Sequence, residues 1–258
     1  MGDLYVSRHK SPDLFSKTAF LKRQQILYLW LFYGFSLICI CWNFLDFTKI
    51  AMKILITAGP TREYVDDVRF LSNASSGRMG YCIAEAAIAA GHEVVLVTGP
   101  VDLPVPKGVH NVPIETTDEL RQACVSLFPE CDGVIATAAV CDYRPLERVT
   151  GKMTKTGQPI VLELVETSDV LAELGQQKQH RWVVGFALES QDPRNNAMRK
   201  LKMKHCNYIV LNDTSAISSA TNSIEVLSPE ADTVAKFDGL KSRVAEQLIG
   251  FIGDHLSK

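Results

Sequence analysis

From residue 52 onward, short apolar runs alternate with stretches of helical period, and this alternation constrains the chain more than any other feature. It is the mark of a mostly parallel sheet whose strands are joined by crossover helices. Strands are expected at 53–58, 93–98, 112–114, 133–138, 161–164, 182–187, 208–211 and 224–227. Helices are expected at 77–90, 118–127, 169–176, 195–204 and 240–255. Val183-Val184 and Ile209-Val210-Leu211 are continuous apolar runs, as in strands covered on both faces. Thr117 before Asp118-Glu119, and Ser168 before Asp169, are the expected helix caps, with acidic residues placed to favour the helix dipole. The fold class is α/β: a Rossmann-like, mostly parallel open sheet with helices on both faces.

The first 51 residues have a different character. They hold 11 of the 21 aromatic residues and a net charge of +3, against −5 for the remainder. An acidic body lacks the basic surplus of a general nucleic-acid binder, so no nucleic-acid partner is expected. From Gln24 to Leu45 run 22 residues without a charge, long enough for a helix to cross a hydrocarbon core. Lys10, Lys17, Lys22 and Arg23 precede this run, so the positive-inside rule would export everything after it. The other reading is that 1–51 is an extension outside the mature protein and that Met52, directly before the strand-like KILITAG, is the start.

Seven cysteines form no C-x-x-C pair, and their odd number suits reduced thiols. Six histidines show no zinc-ligand spacing. Two long polar segments interrupt the regular pattern. The first, 60–76, separates the first strand from the first helix; the second is 142–159, basic, with glycines at 151 and 157. Both follow strands, and long loops at the C-terminal ends of strands border the ligand crevice of an open α/β sheet.

Ser75-Ser76-Gly77-Arg78-Met79-Gly80 opens a helix, where hydroxyls, glycine backbone and free N–H groups suit a phosphate. The same residues also suit a tight turn with close helix packing. The fingerprint G-x-G-x-x-G is absent, and so is the acidic residue expected after the second strand, which argues against a nicotinamide enzyme. In the first loop Arg69 could grip a carboxylate or phosphate, and Asn73 could donate to an oxyanion; for either alone a surface or turn role is the better reading. Ala136-Thr137-Ala138 ends a strand with small residues against which a flat ligand can lie. Asp142 beyond it could accept from a ribose or base amino group, or could cap the loop. Lys152 and Lys155 could close over a nucleotide or be solvated surface, and Lys200 and Lys204 share one helix face.

Eight motifs occur in order: ITAGPTRE (56–63), VRFLSNASSGRMG (68–80), VTGP (97–100), TAAVCDYRP (137–145), KMTK (152–155), VGFALES (184–190), RKLKMKHCNYIVLND (199–213) and TNSIEVL (221–227). On these, residues 52–258 resemble phosphopantothenoylcysteine synthetase, the ligase domain that in most bacteria is the C-terminal half of a bifunctional coenzyme A flavoprotein. The resemblance implies that 4′-phosphopantothenate is joined to L-cysteine through an acyl-cytidylate, with CTP as co-substrate and Mg²⁺ present. It implies that Asn73 binds the acyl group, that Arg69 supports that site and that Lys152 is a mobile flap lysine. Nucleotide contacts would come from Ala136, Thr137, Ala138, Asp142, Ser168, Asp169, Val170, Leu171, Phe186, Lys200 and Lys204, with Ser75, Ser76 and Gly77 as the phosphate cradle.

A homodimer is implied as well, and decarboxylation would fall to a separate phosphopantothenoylcysteine decarboxylase. The chain departs from the family pattern at 218–222, where only Asn222 is kept, and in a flap reading KMTK. Exported by a membrane helix, a CTP-using domain would be parted from its substrates, which favours a cytoplasmic enzyme of residues 52–258. The competing classes are an NAD(P)-dependent Rossmann oxidoreductase and a membrane-anchored nucleotide-binding module without catalysis. A mere binder would not need both Asn73 and Lys152.

Overall fold

The computed structural model of the chain describes residues 50–189, 191–212 and 219–257. The uncharged run 24–45, with Cys39, Cys41 and the anchoring expectation, lies outside the described residues. Among those described, no helix is long and apolar enough to cross a membrane.

In chain order the first elements are β1 (Lys53–Ala58), β2 (Arg62–Tyr64), β3 (Phe70–Ser72), α1 (Arg78–Ala89), β4 (Glu93–Thr98), β5 (His110–Pro113) and α2 (Thr117–Leu127). There follow β6 (Gly133–Ala136), β7 (Tyr143–Pro145), β8 (Leu164–Glu166), α3 (Val170–Gln176), β9 (Trp182–Leu188) and α4 (Pro193–Met203). The last are β10 (Tyr208–Asn212), β11 (Thr221–Leu227), β12 (Thr233–Leu240) and α5 (Lys241–Leu256).

Eight strands form the main sheet in the order β5-β4-β1-β6-β9-β10-β11-β12. The first six are parallel, and β11 and β12 complete the edge antiparallel. Numbered along the chain, the parallel strands lie 3-2-1-4-5-6, so the order reverses between β1 and β6, where an open α/β sheet forms its ligand crevice. Strand alternation divides the core. Ile54 and Ile56 pack with Ile83 of α1 and Val244, Leu248 and Ile252 of α5, while Leu55 packs with Leu120 of α2, Leu174 of α3 and Leu201 of α4. Val183 and Val184 fall on opposite faces, as do Ile209 and Val210, which is why those strands read as unbroken apolar runs.

The structure corrects several sequence expectations. β6 stops at Ala136, because Thr137 turns its hydroxyl onto the Thr57 carbonyl (2.6 Å) and the Ala138 N–H meets the Thr57 hydroxyl (3.2 Å). The strand expected at 161–164 is not in the sheet: Leu164 begins β8, which pairs only with β7, and Val161 is 92% exposed. Thr116, not Thr117, caps α2 in a reciprocal capping box with Glu119. Thr117 is buried, its hydroxyl 3.1 Å from that of Thr61. Asp169, not Ser168, caps α3 by accepting from the Ala172 N–H (3.0 Å). The first long loop contains the β2–β3 hairpin, and β12 stands where no strand was expected.

Candidate functional site

The chain leaves the sheet at Gly59 and comes back beside it. Both Gly59 and Gly77 have positive φ (74° and 70°), and a Cβ on Gly77 would stand 3.3 Å from the Gly59 Cα. The excursion 60–76 is therefore an insertion in an otherwise direct β1–α1 connection. Gly77 begins α1 in the left-handed region with no side-chain cap, which leaves helix N–H groups open to an anion. The Ser75 hydroxyl accepts from the Gly77 N–H (3.3 Å) and the Ser76 hydroxyl from the Arg78 N–H (3.5 Å). Gly80 has the other role: a Cβ there would meet Thr137 Oγ1 at 2.5 Å and Ala58 Cβ at 2.6 Å. Both glycines thus allow close packing, Gly77 of the turn against Gly59 and Val101 and Gly80 of the helix against β1 and Thr137.

A crevice of about 170 Å³ opens here, lined by residues 74–80, by Thr137, Ala138 and Ala139 after β6, by the end of β9 from Phe186, by Asn212, and by Lys241. It lies at the β1/β6 reversal. Of the site residues expected from sequence, it gathers Ser75, Ser76, Gly77, Thr137, Ala138 and Phe186, with Ala136 the residue just before its β6 wall. A larger hollow of about 610 Å³, lined by Gly175, Lys178, His205 and Pro229, sits by the N-terminal ends of β9 and β10, away from where such sheets bind ligands.

Asn73 follows β3, and its Nδ2 donates to the Val140 carbonyl (2.8 Å), which ties the first loop to the segment leaving β6. Asp142, two residues further on, is exposed. The basic loop is fastened at one place. Asp66, whose side chain has no exposed surface, accepts from the Val68 and Arg69 N–H groups (2.8 and 2.7 Å), from Arg69 Nη1 (2.9 Å) and from the Met153 N–H (3.1 Å). Arg69 Nη2 donates in turn to the Met153 carbonyl (3.0 Å), and Asp67 accepts from the Gly151 N–H (2.8 Å). Lys152 lies between these anchors and is exposed. One buried carboxylate therefore ties Arg69 to the backbone of Met153, the residue after Lys152.

The remaining expected contacts lie outside the crevice. Lys200 pairs with Glu189 (2.6 Å) and Lys204 with Asp169 (3.2 Å). Ser168 is exposed, whereas Val170 is a core residue and Leu171 packs against the same cluster, so a ligand could meet Val170 only through its backbone.

Sequence reasoning missed Asp66, Arg78, Asn212 and Lys241. Lys241 had a readable signal, a charge on the apolar face of α5 in register with Val244, Ala245 and Leu248. Burial first, and then the Arg78 charge, hold its ammonium below the usual lysine value. Burial pushes the Cys124 thiol up to about 12 and those of Cys131 and Cys206 up to about 11, so these three stay protonated near neutral pH. No group of three His, Cys, Asp or Glu side chains converges among the described residues, and the crevice lining has no carboxylate. The donor set therefore does not build a protein cage for Mg²⁺, which usually reaches such sites on substrate phosphates.

A family model described as "DNA/pantothenate metabolism flavoprotein C-terminal domain" matches residues 50–255. The Coenzyme A biosynthesis bifunctional protein CoaBC of Bacillus subtilis (strain 168) is 45% identical over 164 residues, covering 63% of this chain and 40% of that protein. A Cysteine/Cysteine sulfinic acid decarboxylase from an unknown prokaryotic organism is 40% identical over 204 residues, covering 76% of this chain and 56% of that protein. The crystal structure of the C-terminal domain of a CoaBC protein superposes with a TM-score of 0.67 at 36% identity, covering 80% of this chain and 98% of that one. The chain spans about half the length of the curated relatives it matches. Motifs, strand order and matches agree, and the chain belongs to the family of the DNA/pantothenate metabolism flavoprotein C-terminal domain, the synthetase-domain family that its eight ordered motifs resemble.

Proposed function

We propose that the chain is a CTP-dependent phosphopantothenate–cysteine ligase, a cytoplasmic enzyme of coenzyme A synthesis. A carboxylate is a poor acyl donor until one of its oxygens can leave as part of a nucleotide. In the first step the phosphopantothenate carboxylate attacks the α-phosphorus of CTP, the bond to the β-phosphate oxygen breaks, and pyrophosphate leaves. In the second the cysteine amine attacks the acyl carbon and loses a proton, and the C–O bond to CMP breaks. The site must hold two anions together and stabilise charge at the α-phosphate.

The observation that carries the reading is the open α1 N-terminus at Ser75–Gly77, with Asn73 on the same inserted segment and the Lys152 loop fastened to that segment at Asp66. Lys152 neutralises charge on the α-phosphate. Asn73 spends one N–H on Val140 and keeps its second N–H and its Oδ1 for the acyl group. Asp142 and the ends of β6 and β9 receive the nucleoside, and Lys200 and Lys204 exchange their carboxylate partners for it. Mg²⁺ arrives on the nucleotide, and no step is assigned to it.

The test is a product assay of the full chain with each of the four nucleoside triphosphates. Pyrophosphate is expected only when CTP and phosphopantothenate are both present, and amide only when cysteine is added. Absence of both products overturns the reading, and carbon dioxide release from cysteine would point instead to the activity in the second relative's name. The strand order is shared with dinucleotide-binding folds, which favours the oxidoreductase as the second reading. CTP with Mg²⁺ should raise the melting temperature and NAD(P)H should leave it unchanged. A homodimer is part of the proposal. Nine of the fifteen exposed large apolar side chains among the described residues lie on the β2–β3 hairpin and on the segment from Tyr143 to Leu164.

A further inference from the structure

Thr61 has no exposed surface, and each of its polar atoms is used. Its N–H donates to the Ala139 carbonyl (3.3 Å). Its carbonyl accepts from the Ser72 hydroxyl (2.7 Å) and from the Cys141 thiol (3.5 Å). Its hydroxyl accepts from the Cys141 N–H (2.9 Å) and pairs with the Thr117 hydroxyl (3.1 Å) at the start of α2. Thr117 is buried as well, and its N–H donates to the buried Glu63 carboxylate (2.8 Å). Ser72 precedes Asn73, and Asn73 donates to the carbonyl of Val140, the residue before Cys141. Thr61, Ser72, Asn73, Val140 and Cys141 therefore close a ring that joins the inserted segment to the chain leaving β6. Thr167 holds the next stretch of that chain, its hydroxyl donating to the Cys141 carbonyl (2.5 Å) and its N–H to the Asp142 carbonyl (3.0 Å).

We propose that Thr61 is a positioning residue for the ligase site, which through the Val140–Cys141 peptide aims the Asn73 amide and sets the place of Asp142. The carbonyl of Val140 and the N–H of Cys141 belong to one planar peptide unit. That unit is bonded at both ends, its N–H to the Thr61 hydroxyl and its carbonyl to Asn73. Rotation of the plane breaks both bonds, and a buried N–H left without an acceptor is costly. Holding the N–H therefore also holds the carbonyl that orients Asn73, and with it the direction of the second N–H and Oδ1 of that amide. Asp142 is the next residue along. Asn73 serves the acyl group and Asp142 the nucleoside, the two partners that must be aligned in the first step, and a misplacement of about 1 Å costs on the order of 100-fold in rate. The reaction so served rests on the ligase reading above; the hold of Thr61 on the peptide does not.

The test compares Thr61→Val, Thr117→Val and Thr61→Ser in the full chain by pyrophosphate release with CTP and phosphopantothenate, by melting temperature and by hydrogen exchange at the Cys141 amide. Thr61→Val and Thr117→Val break the same buried hydroxyl pair, so both should melt below wild type. Only Thr61→Val also removes the acceptor of the Cys141 N–H. It is expected to lose at least tenfold in kcat with the KM for CTP within threefold, and to exchange the Cys141 amide at least tenfold faster. Thr117→Val should keep both kcat and exchange within threefold of wild type, and Thr61→Ser, which retains the hydroxyl, should do the same. The double variant Thr61→Val, Thr117→Val removes both hydroxyls together and should melt no lower than Thr61→Val; it should be equally slow, and it decides the matter if Thr61→Val does not fold. Equal loss of kcat in Thr61→Val and Thr117→Val, a tenfold loss in Thr61→Ser, or unchanged exchange at Cys141 in Thr61→Val would each overturn the proposal. A wild type that releases no pyrophosphate overturns the ligase reading, and exchange at Cys141 then still decides whether Thr61 holds the peptide.

Discussion

Asp66 links Arg69 to the loop that carries Lys152, since its carboxylate holds the Arg69 guanidinium and accepts from the Met153 N–H. Asp66→Asn keeps the shape but removes the charge and turns one acceptor into a donor, which then faces the Met153 N–H or Arg69. The variant is expected to lose at least tenfold in kcat and to be cut faster by protease between residues 148 and 159, with the melting temperature at neutral pH as the folding control. The carboxyl also sets an acid response. Burial acts most strongly to raise its pKa, but three backbone N–H groups and the Arg69 charge together hold it below the usual carboxylate range. Stability from such a group is complete above the unfolded pKa of about 3.9 and is lost as pH falls through the lower folded value. Melting temperature should therefore fall less steeply below about pH 4 in Asp66→Asn than in wild type. At the reacting centre, Lys152→Gln should stop pyrophosphate release. Asn73→Asp should release pyrophosphate but bind or turn over the intermediate poorly, and wild-type rates in both variants would remove the assignment.

At the scale of elements, the proposed function gives the two glycines of the β1–α1 connection different consequences on substitution. Gly80→Ala places a methyl group against Thr137 and Ala58, an overpacking expected to cost about 1–3 kcal/mol in urea unfolding while nucleotide affinity in the folded protein is retained. Gly77→Ala puts a side chain at φ 70°, 2.8 Å from Val101 Cγ1, and should weaken CTP and pyrophosphate at least fivefold by turning the helix N–H groups away. The same scale shows why some elements were legible and others were not. β1, β4, β9 and β10 were read to within a residue because their apolar runs announce burial on both faces. β12 was missed because its inward residues, Thr233, Ala235, Phe237 and Gly239, are mostly small and half-buried, which flattens the alternation. β2, β3, β7 and β8 are three residues each, too short for a period, and exist through pairing across loops. Thr116 and Thr117 are chemically alike in sequence, and the structure tells them apart by the Glu119 capping box on the first and the buried Thr61 hydroxyl beside the second.

For the whole molecule, the proposed homodimer places the exposed apolar side chains of the β2–β3 hairpin and of residues 143–164 in its interface. Light scattering should give twice the 28.6 kDa of the chain for wild type and the monomer mass for the double variant Val161→Asp, Leu162→Asp. A wild-type monomer would remove the dimer. By itself the sequence determined the class of sheet, the faces of its helices and the glycine turn at Ser75–Gly77 that opens α1, because each is written in neighbouring residues with a period of two or 3.6 or in a contiguous motif. Only the tertiary structure decided that Asp66 reaches Met153, that Gly77 returns to Gly59, and that Thr61 meets Cys141 across 80 residues. These depend on which groups the strand order brings to the C-terminal edge of β1 and β6. No local pattern encodes the acceptor that a distant hydroxyl supplies to a buried N–H.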